Sequence, residues 1–280
     1  MDVASRVRDL LGAAEVRRLH EGHQSQAFEV SLPDGRRVVA KVLDAAAVDV
    51  ALVTARVRAV AEVALIDDRV CSPVPIDGRV VTRIQDDSGV ELLVLCSEFA
   101  DGVPFDVTRS EDAELMGVTL AGLHRSLAQL GAHDLPMVAA LQAVGHASDD
   151  ELQLLHGDFN AANLRRRGSE VRVFDFEECG LGPRAFDVAN ALYMVLFDSF
   201  VDGEGQRYRA FEHPFLKGYR TEATSGVDGE VVRTLIDLRV RALAAWLDDL
   251  ASAPVGIRHA TPEWHQTLRG FVRDHGNVWS

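Results

Sequence analysis

Apolar and polar residues repeat with two different periods along this chain. Near its start, Val3, Val7, Leu10 and Leu11 recur at helical spacing with charged residues between them, which predicts a short amphipathic helix. From residue 15 the period changes to two. "EVRRLH", "QAFEVSL" and "RRVVAKVL" read as strands, the last entered through the turn Pro33-Asp34-Gly35. A helix over about 46–66 follows and stops before Cys71-Ser72-Pro73. "GRVVTRIQ" and "VELLVLCSEF" then predict a hairpin across Asp86-Asp87-Ser88-Gly89. Beyond Asp101-Gly102 the helical period dominates, over about 110–130, 185–200, 206–221, 228–252 and 262–275. It is broken by a loop at His156-Gly157-Asp158 and by the short strand "EVRVFDF". The fold class expected is α+β in two lobes with a joint near residues 97–102: an antiparallel sheet plus helix over 1–97, and a mainly helical part over 98–280.

Composition fits this picture. Of 280 residues, 47% are hydrophobic and 26% charged, which is the balance of a globular chain. No apolar run approaches the ~20 residues needed to span a bilayer, and the first helix lacks the apolar core of a signal peptide. The cysteines Cys71, Cys96 and Cys179 are scattered, without disulfide or zinc-site spacing, and suit a reducing, cytoplasmic setting. A net charge of −14 speaks against nucleic acid as the main partner, and nothing supports a membrane module. The acidity is uneven. Residues 1–97 hold 15 acids and 12 bases, whereas 98–280 hold 28 and 17, so a cationic partner is drawn to the second part. Among 29 basic residues only Lys41 and Lys217 are lysines. In a chain so biased toward arginine, Lys41 is a candidate for work that needs a compact ammonium.

The stretch "LLHGDFNAANL" places an Asn five residues after an Asp, and "VFDFEE" follows at the end of the next strand. Phosphoryl transfer to an alcohol needs a carboxylate to orient the hydroxyl and oxygen ligands to hold Mg²⁺ on the phosphates. Asp158 suits the first role, Asn163 and Asp175 the second. The ordinary alternative, that Asp158 and Asn163 are turn formers, is weakened by the downstream acids. "HGDFNAANL" followed by "VFDFEECGLGPRAFDVANAL" resembles the aminoglycoside phosphotransferase and choline kinase-like families, small-molecule relatives of protein kinases. That resemblance implies a bilobal kinase-like fold, residues 1–97 being the nucleotide-binding lobe and 98–280 the catalytic and substrate-binding lobe. It implies Asp158 as the catalytic base, Asn163 and Asp175 on the metal, and His156 and Asp187 as structural braces. Glu177 and Glu178 stay open between site and solvent. "GVTLAGLHRSL" resembles the family helix that ends in Leu-His.

In the first lobe, Lys41 matches the lysine that takes the α- and β-phosphates. It shares a strand face with Val39. Glu62, the sole acid within 53–66, is its expected helix partner, on a stripe with Ala55, Ala59 and Ile66. The rival is a surface pair with Arg58, worth only ~0.3 kcal/mol. The phosphate loop "HEGHQSQAFEV" is poor in glycine; Gly22, Ser25 and the amides near them are its candidates. Glu98 and Ala100, in "VLCSEFA", sit where the family binds the adenine through backbone. For a cationic substrate the candidates are Asp198, Asp202, Glu204, Asp249 and Trp246, with Asp248 alongside; for each of these acids a solvated face is the ordinary alternative.

The function expected is an O-phosphotransferase moving the γ-phosphate of ATP or GTP, with Mg²⁺, to a cationic antibiotic of the aminoglycoside or tuberactinomycin type. A metabolic kinase for choline, homoserine or an amino alcohol is the alternative. A catalytically silent binding protein is the third reading, supported only by the glycine-poor loop.

Overall fold

Short apolar runs separated by turn residues form an antiparallel sheet within residues 15–98. The computed structural model describes residues 2–19, 26–130, 134–145, 152–223 and 226–275. The chain divides into two compact units, Met1–Asp101 and Gly102–Ser280, four residues later than the boundary expected from the pattern.

The first unit begins with α1 (Val3–Leu11), capped by Asp2, whose carboxylate accepts from the Ser5 amide at 2.8 Å. The strands β1 (Glu15–Arg18), β2 (Gln26–Ser31), β3 (Arg37–Asp44), β4 (Thr82–Gln85) and β5 (Glu91–Glu98) form one sheet in the order β1-β2-β3-β5-β4. Its two faces are dry for different reasons. Phe28, Val30, Val38, Ala40, Val42, Val94 and Cys96 pack with α1 through Val3, Val7, Leu10 and Leu11. Leu43, Leu93 and Leu95 meet Val50, Val53 and Val57 of α2 (Val50–Ala64). That helix starts four residues later than the pattern predicts, because Asp49 caps it by accepting from the amides of Ala51 and Leu52 at 2.9 and 3.1 Å. The expected strand over 78–85 is shorter as well: Ile76 and Arg79 form an isolated bridge and β4 starts at Thr82.

The second unit is built on helices: α3 (Ser110–Leu127), α4 (Ala139–Ala143), α5 (Ala185–Asp202), α6 (Gly205–Glu222), α7 (Gly229–Asp248), α8 (Val255–Arg258) and α9 (Pro262–Asp274). Short antiparallel pieces hold the loops: β6 (Val103–Pro104) with β8 (Leu164–Arg167) and β9 (Glu170–Val173), and β7 (Gln153–Leu155) with β10 (Gly180–Gly182). Except for β9, which lies inside the expected strand "EVRVFDF", these pieces are too short for a periodic signal. The helix α5 is apolar on nearly every side, and so is buried.

One contact decides where α3 and α6 lie. A Cβ on Gly117 would stand 2.0 Å from the Phe215 carbonyl oxygen, and one on Gly218 would stand 2.0 Å from the Glu114 carbonyl oxygen. The two backbones touch where both helices lack a side chain. No helix among the described residues is long and apolar enough to cross a membrane.

Candidate active site

The Asp158 loop is held from beneath by a chain of polar contacts that starts at the glycine crossing. The close approach of α3 and α6 brings His124 Nδ1 to 2.9 Å from the Tyr219 hydroxyl, with the rings edge to face. Burial pushes the Tyr219 phenol up to about 12, so the hydroxyl stays protonated at neutral pH. His124 Nε2 donates to Asp187 Oδ2 at 3.3 Å. Asp187, fully buried in the first turn of α5, accepts from the His156 amide at 2.8 Å on Oδ2 and from the Gly157 amide at 2.9 Å on Oδ1. Three donors converge on one carboxylate, and two of them are the backbone of the loop itself.

His156 is fully buried, and its partners fix its proton. Nε2 must donate to the Phe174 carbonyl at 3.0 Å, while Nδ1 must accept from the Asp158 amide at 3.3 Å. The ring is therefore the neutral Nε2-H tautomer with both nitrogens engaged. It also packs 4.2 Å from the Phe176 ring and edge-on to Phe159. Phe159 is completely buried. Burying such a side chain is worth about 2–3 kcal/mol, roughly the entropy lost in fixing one or two residues of the loop. Gly157 has φ of +83°, and a Cβ there would lie 2.1 Å from the Glu178 carbonyl oxygen. No side chain fits that position.

Asp158 is half-buried, with a side-chain amide on each oxygen. Asn163 Nδ2 donates to Oδ2 at 3.2 Å and to the Asp158 carbonyl at 2.9 Å; Asn190 Nδ2 donates to Oδ1 at 3.2 Å and to the Phe159 carbonyl at 3.3 Å. Asn160 braces the same turn, donating to the Asp158 carbonyl and accepting from the Ala162 amide, both at 2.9 Å. Asn163 closes a single 3-10 turn at Ala161–Asn163, and its carbonyl accepts from the Phe174 amide at 3.2 Å, which ties the loop to the start of the Asp175 segment.

The donor set fits a hard divalent cation. With its nitrogen committed to Asp158, Asn163 presents Oδ1 as its open donor atom. Asp175, just past β9, adopts the left-handed conformation at φ +68°, one of two non-glycine residues among those described to do so. An amide oxygen and a carboxylate are oxygen donors of the kind a hard divalent cation takes when it also binds phosphates; among the described residues no cluster of three His, Cys, Asp or Glu is present.

In the first unit Lys41 is half-buried on β3, opposite Ala27 and Leu95, on the sheet face that α2 covers. Glu62 is exposed on α2, beside buried Ala59 and half-exposed Ile66, so the drier stripe expected for it is not what the helix presents to solvent. Glu98 ends β5, its amide bonded to the Ser72 carbonyl at 2.9 Å and its carboxylate to the Ser72 amide at 3.1 Å. The Phe99 amide goes to the Arg37 carbonyl, leaving the Ala100 amide uncommitted among the described residues. Gly22 and Ser25 lie outside the described residues.

The expected substrate acids are dispersed, and several are already engaged. Asp202 and Glu204 both pair with Arg207, the latter at 2.8 Å. Trp246 is buried in the helical core and offers no open aromatic face. Asp248 stands 3.6 Å from Arg269, and Asp249 accepts from the Ala251 amide. Asp198 is half-buried on α5; burial, then the neighbouring Asp202, push its carboxyl up, and Arg207 opposes them.

Asn190 is the site residue that pattern reading missed. Its signal was present: one amide inside the otherwise apolar run "VANALYMVLF". Nothing in that run says which way the amide points.

The model of the phosphotransferase enzyme family matches residues 126–221. Among solved structures, the amicoumacin kinase hAmiN, in complex with AMP-PNP, Ca²⁺ and Ami, superposes with a TM-score of 0.75 at 17% identity, covering 99% of this chain and 94% of that one. A microcompartment-associated aminopropanol kinase gives 0.68 at 16% identity, covering 99% and 95%. Spectinomycin phosphotransferase APH(9)-Ia, in complex with ADP and spectinomycin, gives 0.63 at 10% identity, covering 99% of both. At these identities the likeness is one of fold. A curated protein, the N-(5'-phosphoribosyl)anthranilate isomerase of Bordetella petrii, is 30% identical over an alignment of 129 residues that covers 42% of this chain and 57% of that protein. The chain thus spans little more than half of that relative's length, and the match does not assign its activity. Residues 126–221, which hold His156, Asp158, Asn163, Asp175 and Asp187, match the phosphotransferase enzyme family, and the fold around them is that of the small-molecule kinases of the aminoglycoside phosphotransferase type.

Proposed function

We propose that the protein transfers the γ-phosphoryl group of ATP or GTP to a hydroxyl of a small amine-bearing acceptor. The observation that carries this reading is the state of Asp158: a half-exposed carboxylate with one amide on each oxygen. Such a group is oriented yet open to a hydroxyl. In the reaction, the acceptor oxygen forms the new bond to phosphorus as its proton passes to Asp158, and the bond from that phosphorus to the nucleoside diphosphate breaks. Asn163 and Asp175 would hold Mg²⁺, which supplies charge neutralisation on the phosphate oxygens. Lys41 would add its ammonium to the same phosphates, with Glu62 as its helix partner. The Ala100 amide would take the adenine or guanine edge. His156 and Asp187 hold the loop and do not meet the acceptor.

The acceptor we favour is a cationic antibiotic, on the acidity of residues 98–280 and the likeness to antibiotic kinases in fold. A metabolic amino alcohol is the second reading, favoured by the engagement of Asp202 and Glu204 with Arg207, which removes two carboxylates from any cation site. The test is transfer of labelled γ-phosphate from ATP and GTP to aminoglycosides, viomycin, capreomycin, choline, homoserine and aminopropanol. Asp158→Ala should abolish labelling while nucleotide binding stays within about twofold of wild type, since carboxylate removal touches the hydroxyl and not the nucleotide. Undiminished labelling in that variant would sink the assignment.

A further inference from the structure

Arg239, in the middle of α7, is a sheltered cation without an anion. Its guanidinium carbon stands 4.9 Å from the centroid of the Tyr193 ring and 5.9 Å from that of Phe186. Its Nε is shut off from solvent and has no hydrogen-bond partner, and no carboxylate among the described residues pairs with it. Several other sheltered arginines of the chain have a carboxylate partner. Arg207 has Asp202 and Glu204, Arg166 has Asp112 at 3.1 Å, and Arg69 has Asp67 at 2.6 Å.

The place of this cation matters. Phe186, Asn190 and Tyr193 follow one another at steps of four and three along one face of α5, and Asn190 is the amide that holds Asp158 Oδ1. The Tyr193 phenol is pushed up by burial; the charge of Arg239 pulls it down and that of Asp158 pushes it up further. Two aromatic faces recover part of the lost hydration of a guanidinium, worth about 0.5–2 kcal/mol, but they leave its Nε without an acceptor and its planar fork of donors without a carboxylate. That fork matches a carboxylate in two parallel hydrogen bonds.

We propose that Arg239 receives a carboxylate of the acceptor substrate, so that the molecule phosphorylated at Asp158 is a hydroxylated amino acid, or carries such a head group, rather than an amine alone. This rests on the reading of Asp158 as the group that orients the acceptor hydroxyl. Within that reading it names what lies beside the hydroxyl: an anion, in a unit whose net charge would otherwise repel one.

Pairs of acceptors that differ only by the carboxylate test this directly: homoserine against 3-amino-1-propanol, serine against ethanolamine, and threonine against 1-amino-2-propanol. Each is measured with the full chain for binding, by calorimetry with Mg²⁺ and a non-hydrolysable ATP analogue, and for kcat/KM with Mg-ATP. The carboxylated member of at least one pair should be preferred by about 10- to 100-fold, the worth of a charge-assisted hydrogen bond. In Arg239→Gln that ratio should fall to within about threefold of unity, and Arg239→Lys should restore part of it, since the ammonium keeps the charge but not the fork. A ratio near one in the wild type for all three pairs overturns the proposal. So does an equal loss on both members in Arg239→Gln, which is what a merely structural arginine would give. Binding of the nucleotide analogue with no acceptor bound also overturns it and leaves the kinase reading standing. Failure to bind the nucleotide analogue would overturn the kinase reading, and the proposal with it.

Discussion

Asp187→Asn isolates the contact on which the loop geometry depends. The carboxylate accepts from the His156 amide at 2.8 Å, the Gly157 amide at 2.9 Å and His124 Nε2 at 3.3 Å, in full burial. An asparagine is nearly isosteric but offers one acceptor oxygen, and its NH₂ end must face a backbone N–H at about hydrogen-bond distance. At least one buried amide is left without an acceptor, at about 1–3 kcal/mol, and the remaining bond loses its charge assistance. The sum is about 2–4 kcal/mol. At about 2–4 °C per kcal/mol for a unit of this size, the thermal midpoint of the transition belonging to residues 102–280 should fall by about 5–15 °C. Because Gly157 and Asp158 are adjacent, the released loop should also cost about 100-fold in kcat, the effect of a displacement near 1 Å. The assay is differential scanning calorimetry beside steady-state kinetics, with Asp202→Asn as control. That residue sits at the other end of the same helix, its half-exposed carboxylate paired with Arg207, and its loss should cost about 1 kcal/mol. Equal midpoints for Asp187→Asn and the control, or full activity in a destabilised Asp187→Asn, would refute the claim that this carboxylate sets the loop.

Other substitutions probe separate links. Gly117→Ala forces a Cβ into the Phe215 carbonyl, so it should cost about 3 kcal/mol and lower activity by parting His124 from Tyr219; an unchanged calorimetric midpoint would contradict the close crossing. Asn190→Ala removes one of the two amides on Asp158 and should lower kcat about tenfold with the nucleotide KM unchanged; equal kcat values would mean that Asn163 alone orients the carboxylate. Asp198 titrates above its ordinary 3.8, chiefly through burial, so the native state holds its proton more tightly than the unfolded chain. The stability this gives is complete below 3.8 and lost as pH rises through the raised value. Asp198→Asn should therefore raise the thermal midpoint at pH 7.5 and make no difference near pH 3, and a gain that is the same at both would show that ionisation is not involved.

What the sequence determined by itself is what short-range pattern and chemistry determine. The apolar runs in "RRVVAKVL" and "VELLVLCSEF" set β3 and β5 because a short continuous apolar run bounded by turns suits a strand covered on both faces. The spacing from Asp158 to Asn163 is likewise local: a five-residue turn lets the amide reach back to both the carbonyl and the carboxylate of the residue it follows. The rest was decided by contacts between segments far apart in the chain. The drier stripe expected for Glu62 was drawn on an isolated helix, and packing exposed that residue. Asp202, Glu204 and Trp246 looked available because a sequence does not show that Arg207 reaches two carboxylates or that an indole is covered. Asn190 and Arg239 were indistinguishable from any amide and any arginine in an apolar helix until α5 and α7 were placed, one with its amide on Asp158 and the other with its guanidinium on the rings beside it. Local sequence encodes which groups exist and which neighbours they hold within a turn. Which half-buried cation lacks a carboxylate partner is a property of the packed helices, since only there is water partly removed.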